Sequence, residues 1–465
     1  MNSRTTPRML RAVVVLAAFT VSLAVCGQAQ TLTTLAVFNG TDGAQPDAPL
    51  VQGLDGNFYG VTTEGGADGF GTIFRVTPQG TLTTLHNFHG SDGGYADWLI
   101  QATDGNLYGT TLTGPSGLGT VFKITLEGAL TTLARFNQAN GSLPNGLMQG
   151  SDGNFYGTAL YGGSLTCNPP TGCGTIFKVT PEGAIAKLHS FDDVDGNEPY
   201  AVPIQGTDGN FYGTTRSGGS QHLGTIYKMT SEGVLTTLQS FDGSNGAIAI
   251  PGLAQALDGN FYGTTINGGS TFGYNDGTIY KITPQGTLTT LLNWNNVVFD
   301  TNALIQATDG NFYGSAIGDG SVSDGSLFVV TEEGALTVLH TFNGFDGGEP
   351  RTALVQGTDG KFYGTTYFGG PTLLAQGSVF SFSVGLGAFV KTLTTSGGIG
   401  AKVIILGTAL TGTTSVTFNG VAATFTVVSA SEVTATVPSG ATSGTVQVTT
   451  PTGTLDSNVP YQVTP

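Results

Sequence analysis

The hexapeptide DGNFYG occupies residues 55–60 and returns as DGNLYG at 104, DGNFYG at 152, 208, 258 and 309, and DGKFYG at 359. The intervals between its aspartates are 49, 48, 56, 50, 51 and 50 residues. A period near fifty marks one supersecondary unit, repeated. The fifth unit, PGLAQALDGNFYGTTINGGSTFGYNDGTIYKITPQGTLTTLLNW (251–294), shows its parts. An apolar run meets Asp-Gly, the strongest short hairpin signal, and NFYGTT follows. A Gly-Gly loop leads to GTIYKIT, a turn at Pro284-Gln285-Gly286, and TLTTLLNW. That is an antiparallel meander of four strands, with no helical period of useful length.

Seven such units predict an all-β, seven-bladed β-propeller. The segment TLTTLAVFNG (31–40) reads as a fourth strand without the three before it. The last repeat, ending GSVFSFSV (377–384), has three strands and no TLTTL after it. The early strand is therefore expected to complete the last blade, closing the ring and removing its edges. On this reading Asp-Gly of each hexapeptide makes the first hairpin, and Phe and Tyr pack between blades.

The pattern DGN-[FL]-YG-T…GG…GT-[IV]-[FY]-K-[VI]-T-x-x-G-x-LTTL-x-x-F resembles the bacterial GloVer tandem-repeat family over residues 31–384. The resemblance implies an exported protein, often with assorted C-terminal modules, and carries no established activity. After about residue 388 the period stops. KVIILG, TSVTFNGVAATFTVVS, EVTATVP and GTVQVTT alternate instead, with Asn419-Gly420 as a hairpin turn. Short alternating strands over about eighty residues suggest an immunoglobulin-like sandwich, and the wording from 394 to 454 resembles an IPT/TIG domain. Such domains act as spacers or interaction modules, sometimes beside catalytic domains. The expected organisation is a signal peptide at 1–29, the propeller at 30–387 and the IPT/TIG domain at 388–465.

Residues 1–11 are basic (Arg4, Arg8, Arg11) and precede the apolar AVVVLAAFTVSLAV (12–25), the order of an export signal. Gly27 and Ala29 suit cleavage after Ala29; lipidation at Cys26 is the rival, with Val25 a poor fit before it. The expected location is secreted, periplasmic or cell-surface, with no transmembrane segment in the mature chain. There Cys167 and Cys173 are expected to pair, since a metal would need two further ligands nearby. The chain carries 31 acidic and 15 basic residues, net −16, which repels phosphate backbones and excludes nucleic acid as partner.

No G-x-S-x-G or H-E-x-x-H motif is present, and GGIGAK (397–402) lacks the residues of a phosphate loop. His86, His189 and His340 share one slot at the end of the fourth strand of separate blades, so they cannot converge on one metal, and a copper-oxidase reading loses its ligands. Glu198 and Glu349 enter blades four and seven, too far apart for a glycosidase pair. In a propeller the loops after strands two and four share one rim. There the sequence varies: NGTDGAQPDAP (39–49), HGSDGGYADW (89–98), DDVDGNEPY (192–200) and NGFDGGEP (343–350). Asp42, Asp92, Asp195 and Asp346 read first as Asp-Gly turn residues and second as calcium ligands; with Asp193, the run DDVDGNE is the best calcium candidate, though short of full ligand spacing. Tyr95, Trp98, Tyr161, Tyr200, Tyr274 and Tyr367 lie in or beside these loops, as rings that stack on sugars or anchor proteins. The expectation is a non-enzymatic binding protein for polysaccharide or an extracellular or surface protein, with no cofactor unless calcium. The alternatives are a carbohydrate-active enzyme with the tail as accessory, and a purely structural envelope protein.

Overall fold

The computed structural model describes residues 30–269, 277–294, 299–318, 324–372 and 375–464. Among them all regular structure is β, and no helix is long and apolar enough to cross a membrane. Seven sheets form the propeller among the described residues. The first blade runs Val51–Gln52, Phe58–Thr62, Thr72–Val76, Leu82–Asn87 from centre to rim. Its second strand is buried throughout because neighbouring blades cover both faces, whereas its fourth is only partly covered. The sixth sheet has an extra short strand, Phe299–Thr301.

The ring closes as its pattern predicts. Thr31–Val37 pairs antiparallel with Ser378–Ser383, Thr31 opposite Ser383 and Val37 opposite Ser378. The last blade thus takes its outer strand from the start of the propeller.

Each letter of DGNFYG has a task, seen well in the third blade. Asp152 Oδ1 accepts the Asn154 amide at 3.1 Å. Its Oδ2 accepts from Asn154 Nδ2 (2.7 Å), Tyr156 Oη (2.9 Å) and Lys178 Nζ (2.9 Å). Partial burial pushes this carboxyl up, but the donors together outweigh burial and hold it at about 2. The Tyr ring then stacks on the Phe of the next blade: Tyr108 on Phe155, Tyr156 on Phe211, Tyr212 on Phe261, at 4.1 to 4.2 Å. Tyr363 meets Phe58 across the closure at 3.8 Å. The final Gly makes room, since a Cβ on Gly157 would lie 2.2 Å from the Gly146 carbonyl and 2.5 Å from the Phe177 ring.

A second sevenfold device stands three residues before each of these aspartates. Gln101 Oε1 accepts the Leu54 amide of the preceding blade at 2.8 Å, and its Nε2 donates to its own hairpin at Gly105. Gln149, Gln205, Gln255, Gln306 and Gln356 repeat the step to Thr103, Ser151, Thr207, Leu257 and Thr308. Gln52 completes the belt at Thr358, 3.0 Å. Each joint adds about 0.5–1.5 kcal/mol per hydrogen bond.

The tail is a separate sandwich. One sheet is built from Lys391–Thr392, Lys402–Leu406, Glu432–Thr436 and Phe425–Val427. The other contains Val421–Ala422, Ser415–Phe418, Val446–Thr450 and Gly453–Asp456. Val403, Ile405, Phe418, Val433 and Val448 fill the space between them. This domain sits against the hairpin side of the propeller. Ser431 Oγ donates to the Leu54 carbonyl at 2.6 Å, the Phe389 amide to Thr358 at 3.0 Å, and Lys391 Nζ to the Gln356 carbonyl.

Candidate functional site: the loop-bearing mouth of the propeller

The loops entering the inner strands share a frame. A four-residue turn is closed by an Asp or Asn side chain, as when Asp92 Oδ1 accepts the His89 amide and Asn140 Oδ1 accepts the Asn137 amide. Three residues after that side chain the backbone enters the left-handed region, at Gln45, Tyr95, Leu143, Glu198, Ile248 and Glu349. Two residues later the chain turns into the inner strand, and there the blades differ most: Asp47, Asp97, Asn145, Tyr200, Ile250 and Arg351. Asn145 Nδ2 reaches the Pro199 carbonyl of the next blade at 2.8 Å, so these positions face one another around the mouth.

Blades seven, one and two bring a charged cluster together. Arg351 donates through Nε (2.9 Å) and Nη2 (2.5 Å) to Glu349 Oε2, and its guanidinium lies 3.5 Å from the centre of the Tyr367 ring. Tyr367 Oη donates to Gln45 Oε1 at 2.7 Å, holding the ring in place. Burial pushes the Asp47 carboxyl up to about 6; Arg351 opposes this and Glu349 adds to it. Burial also holds Asp97 well above the carboxylate range, against a 3.0 Å hydrogen bond from Thr110 Oγ1 and with repulsion from Asp47. A second group repeats the types in blade four: Arg216 Nη1 meets Glu198 Oε2 at 2.5 Å, with the Tyr200 ring 5.9 Å away. Glu198 and Glu349 thus each serve their own arginine.

Tyr367 and Tyr200 belong to these groups, and Tyr161 lies within electrostatic reach of Tyr200. Tyr95 packs edge-on to Phe70 at 5.8 Å. Trp98 Nε1 donates to the Leu147 carbonyl at 2.8 Å and its ring covers Gly146, so it is half-buried against blade three. Tyr274 lies outside the described residues. Two more exposed rings were passed over in reading the loops: Phe345, 74% exposed, and Phe368, 36% exposed and packed over Gly348. Phe345 stands where other blades place Thr41, Ser91, Ala139, Val194 and Ser244, so an aromatic ring there is a contrast visible in the sequence.

The rim aspartates are engaged with their own loops. Asp42 accepts the Asn39 amide. Asp92, Asp195 and Asp346 accept their turn amides and pair with His86 (2.9 Å), His189 (2.7 Å) and His340 (3.0 Å) on the outer strands. Burial pushes Asp195 up, but His189 and the turn amides bring it below its ordinary value. Asp193 contacts His222 at 3.0 Å and Asn197 at 3.3 Å. Among the described residues no three His, Cys, Asp or Glu side chains are grouped to hold a metal. Cys167 and Cys173 are disulfide-bonded, Cα atoms 5.6 Å apart, in the rim loop of blade three.

Comparison with sequence families matches the Gloeobacter/Verrucomicrobia repeat at residues 19–201, 166–304 and 274–423. The chain belongs to the Gloeobacter/Verrucomicrobia repeat family. Residues 388–464 match the IPT/TIG domain. A search of curated proteins finds no match. Among solved structures, streptogramin B lyase is similar with a TM-score of 0.54 at 15% identity, over 76% of this chain and 97% of the lyase. A fungal alcohol oxidase of the AA5 family, solved in complex with copper, is similar with a TM-score of 0.51 at 14% identity, over 94% of this chain and 99% of the oxidase. At such identity the likeness shows the propeller fold alone. Within this Gloeobacter/Verrucomicrobia repeat chain, residues common to all units (the hairpin Asp, its Tyr, the Gln before it) are committed to the ring. The residues that break the repeat gather at the loop-bearing mouth.

Proposed function

We propose that this protein is an exported binding protein whose loop-bearing propeller face holds a polysaccharide, or failing that a surface protein, without transforming it. One observation carries the reading: Arg351, Tyr367, Glu349, Asp47 and Asp97 of three adjacent blades gather at a mouth whose scaffold is otherwise repetitive. A tyrosine clamped by an arginine offers a rigid ring at little entropic cost, and the carboxylates accept hydrogen bonds from hydroxyl groups. Export is supported by the basic-then-apolar order of residues 1–29 and by the Cys167–Cys173 disulfide.

The test is a polysaccharide array probed with residues 30–465, with calcium or EDTA, while released sugars are assayed. Binding without product, weakened at least about tenfold by Tyr367→Ala, is expected. Absence of binding in both buffers moves the ligand to protein. A second reading, a carbohydrate-active enzyme, is favoured by the neighbouring Asp47 and Asp97, whose raised proton affinities suit acid–base work. Product release abolished by Asp97→Asn would establish it.

A further inference from the structure

The hairpin face carries a second concave feature. Between the glutamine belt and the immunoglobulin-like domain lies a cavity of about 790 Å³. That is within the range of pockets that enclose small ligands, about 300–1,000 Å³. Its floor includes Gln101, Gln149, Gln205, Gln255 and Gln306, and its roof comes from residues 393–396, 458–460 and 462 of the sandwich. Among the described residues no charged side chain lines it.

The belt leaves specific capacity unused. Gln149 spends one lone pair on the Thr103 amide and one N–H on the Gly153 carbonyl, and Gln101 and Gln205 are engaged alike. Gln255 and Gln306 use both N–H groups, the second on Thr207 Oγ1 (3.3 Å) and Glu332 Oε1 (3.2 Å), and keep a spare lone pair. A primary amide has two N–H groups and two lone pairs, so a curved row at blade spacing offers a spare acceptor at each of the five floor glutamines and a spare donor at Gln101, Gln149 and Gln205. Apolar surface is interleaved with it: Leu257 is 56% exposed on the floor and Val459 is 37% exposed on the roof.

From these features we infer that the domain junction is a binding site for a neutral, hydroxyl-rich ligand, a short uncharged oligosaccharide, distinct from the site at the loop-bearing mouth. Hydroxyl groups both donate and accept, and so match the spare amide valences. The C–H faces of a sugar ring match Leu257 and Val459. An ion would be desolvated here with no opposite charge to receive it. The belt glutamines are fixed by their latches, so ordering them costs little on binding.

The test is calorimetric titration of the chain from residue 30 onward with neutral di- to tetrasaccharides and, in parallel, their uronic-acid counterparts. Neutral sugars are expected to bind and acidic ones to fail. Leu257→Trp and Val459→Trp, both at exposed positions, should fill the cavity and weaken binding about tenfold or more without lowering the melting temperature. Tyr367→Ala at the opposite face should leave this binding unchanged. If neutral sugars do not bind, or if both tryptophan variants bind as the parent does, the inference is overturned. Loss through Tyr367→Ala alone would assign the sugar to the loop-bearing mouth and also overturn it.

Discussion

Aspartate serves both the hairpins of the propeller and the inner mouth where Asp47 and Asp97 stand, and the two places treat it in opposite ways. At the hairpin rim Asp104, Asp152, Asp208 and Asp258 each collect an asparagine, a tyrosine and a lysine, and each is held at about 2. At the loop-bearing mouth Asp47 is raised to about 6 and Asp97 is likewise held well above the ordinary carboxylate range, because burial there is not matched by donors. A repeated environment whose carboxylates are fully satisfied is spent on stability. An environment found in one place, with charge kept at a cost, is where function is sought.

The strongest way to break this contrast is to truncate a ring on each rim. Tyr156→Ala removes the stack on Phe211 and the hydrogen bond to Asp152, and should cost about 3–5 kcal/mol in denaturant unfolding. Tyr95→Ala, which loses a single edge contact, should cost far less. Equal costs would mean that the loop-bearing rim is as structural as the other. Next in size, Gln149→Leu leaves the Thr103 amide and the Gly153 carbonyl without their partner, and should lower stability by about 1–3 kcal/mol.

Stability measured against pH sharpens the comparison, because these hairpin aspartates and the mouth pair Asp47 and Asp97 contribute with opposite sign. Asp104, Asp152, Asp208 and Asp258 lie below their unfolded value of 3.8, so their contribution is complete above about pH 4 and is lost as pH falls toward 2. Asp47 lies above that value, so the folded state holds the extra proton and stability falls as pH rises from about 4 to about 6. Asp47→Asn should therefore gain about 1–2 kcal/mol at pH 7, allowing for the water that still reaches this carboxyl, and nothing at pH 3. Asp152→Asn should lose stability at pH 7 and converge with the parent in acid. The smallest effect is expected from Phe345→Ser, within about 0.5 kcal/mol, because that ring is exposed. Any loss of ligand binding in that variant would then report contact rather than folding.

The fold was legible because its signals are local and repeated. Asp-Gly marks a turn wherever it stands, and seven copies at one period leave few architectures. The unmatched strand at 31–40 was enough to predict the closure. The glutamine belt was spelled just as regularly, one Gln three residues before each hexapeptide, but its acceptor role is to the preceding blade, and spacing along the chain does not reveal it. Asp47 and Asp97 stood in plain view within variable loops. What singles them out is the meeting of blades seven, one and two, together with burial that no neighbouring cation fully offsets. Trp98 carried the opposite lesson: a loop-proximal ring that a glycine, Gly146, allows to fold back onto the scaffold.

The pairing of Thr31–Val37 with Ser378–Ser383 also sets an order of events in time. Six blades can form from contiguous stretches as the chain emerges, but the seventh must wait for residue 383, with the first blade's stacking face open until Tyr363 arrives. Contacts that span most of a chain form late, since the loop they close is long. The nascent propeller is therefore an open arc, with an unpaired strand at one end and an uncovered aromatic face beside it. It becomes a closed body only in a last step that joins its two ends.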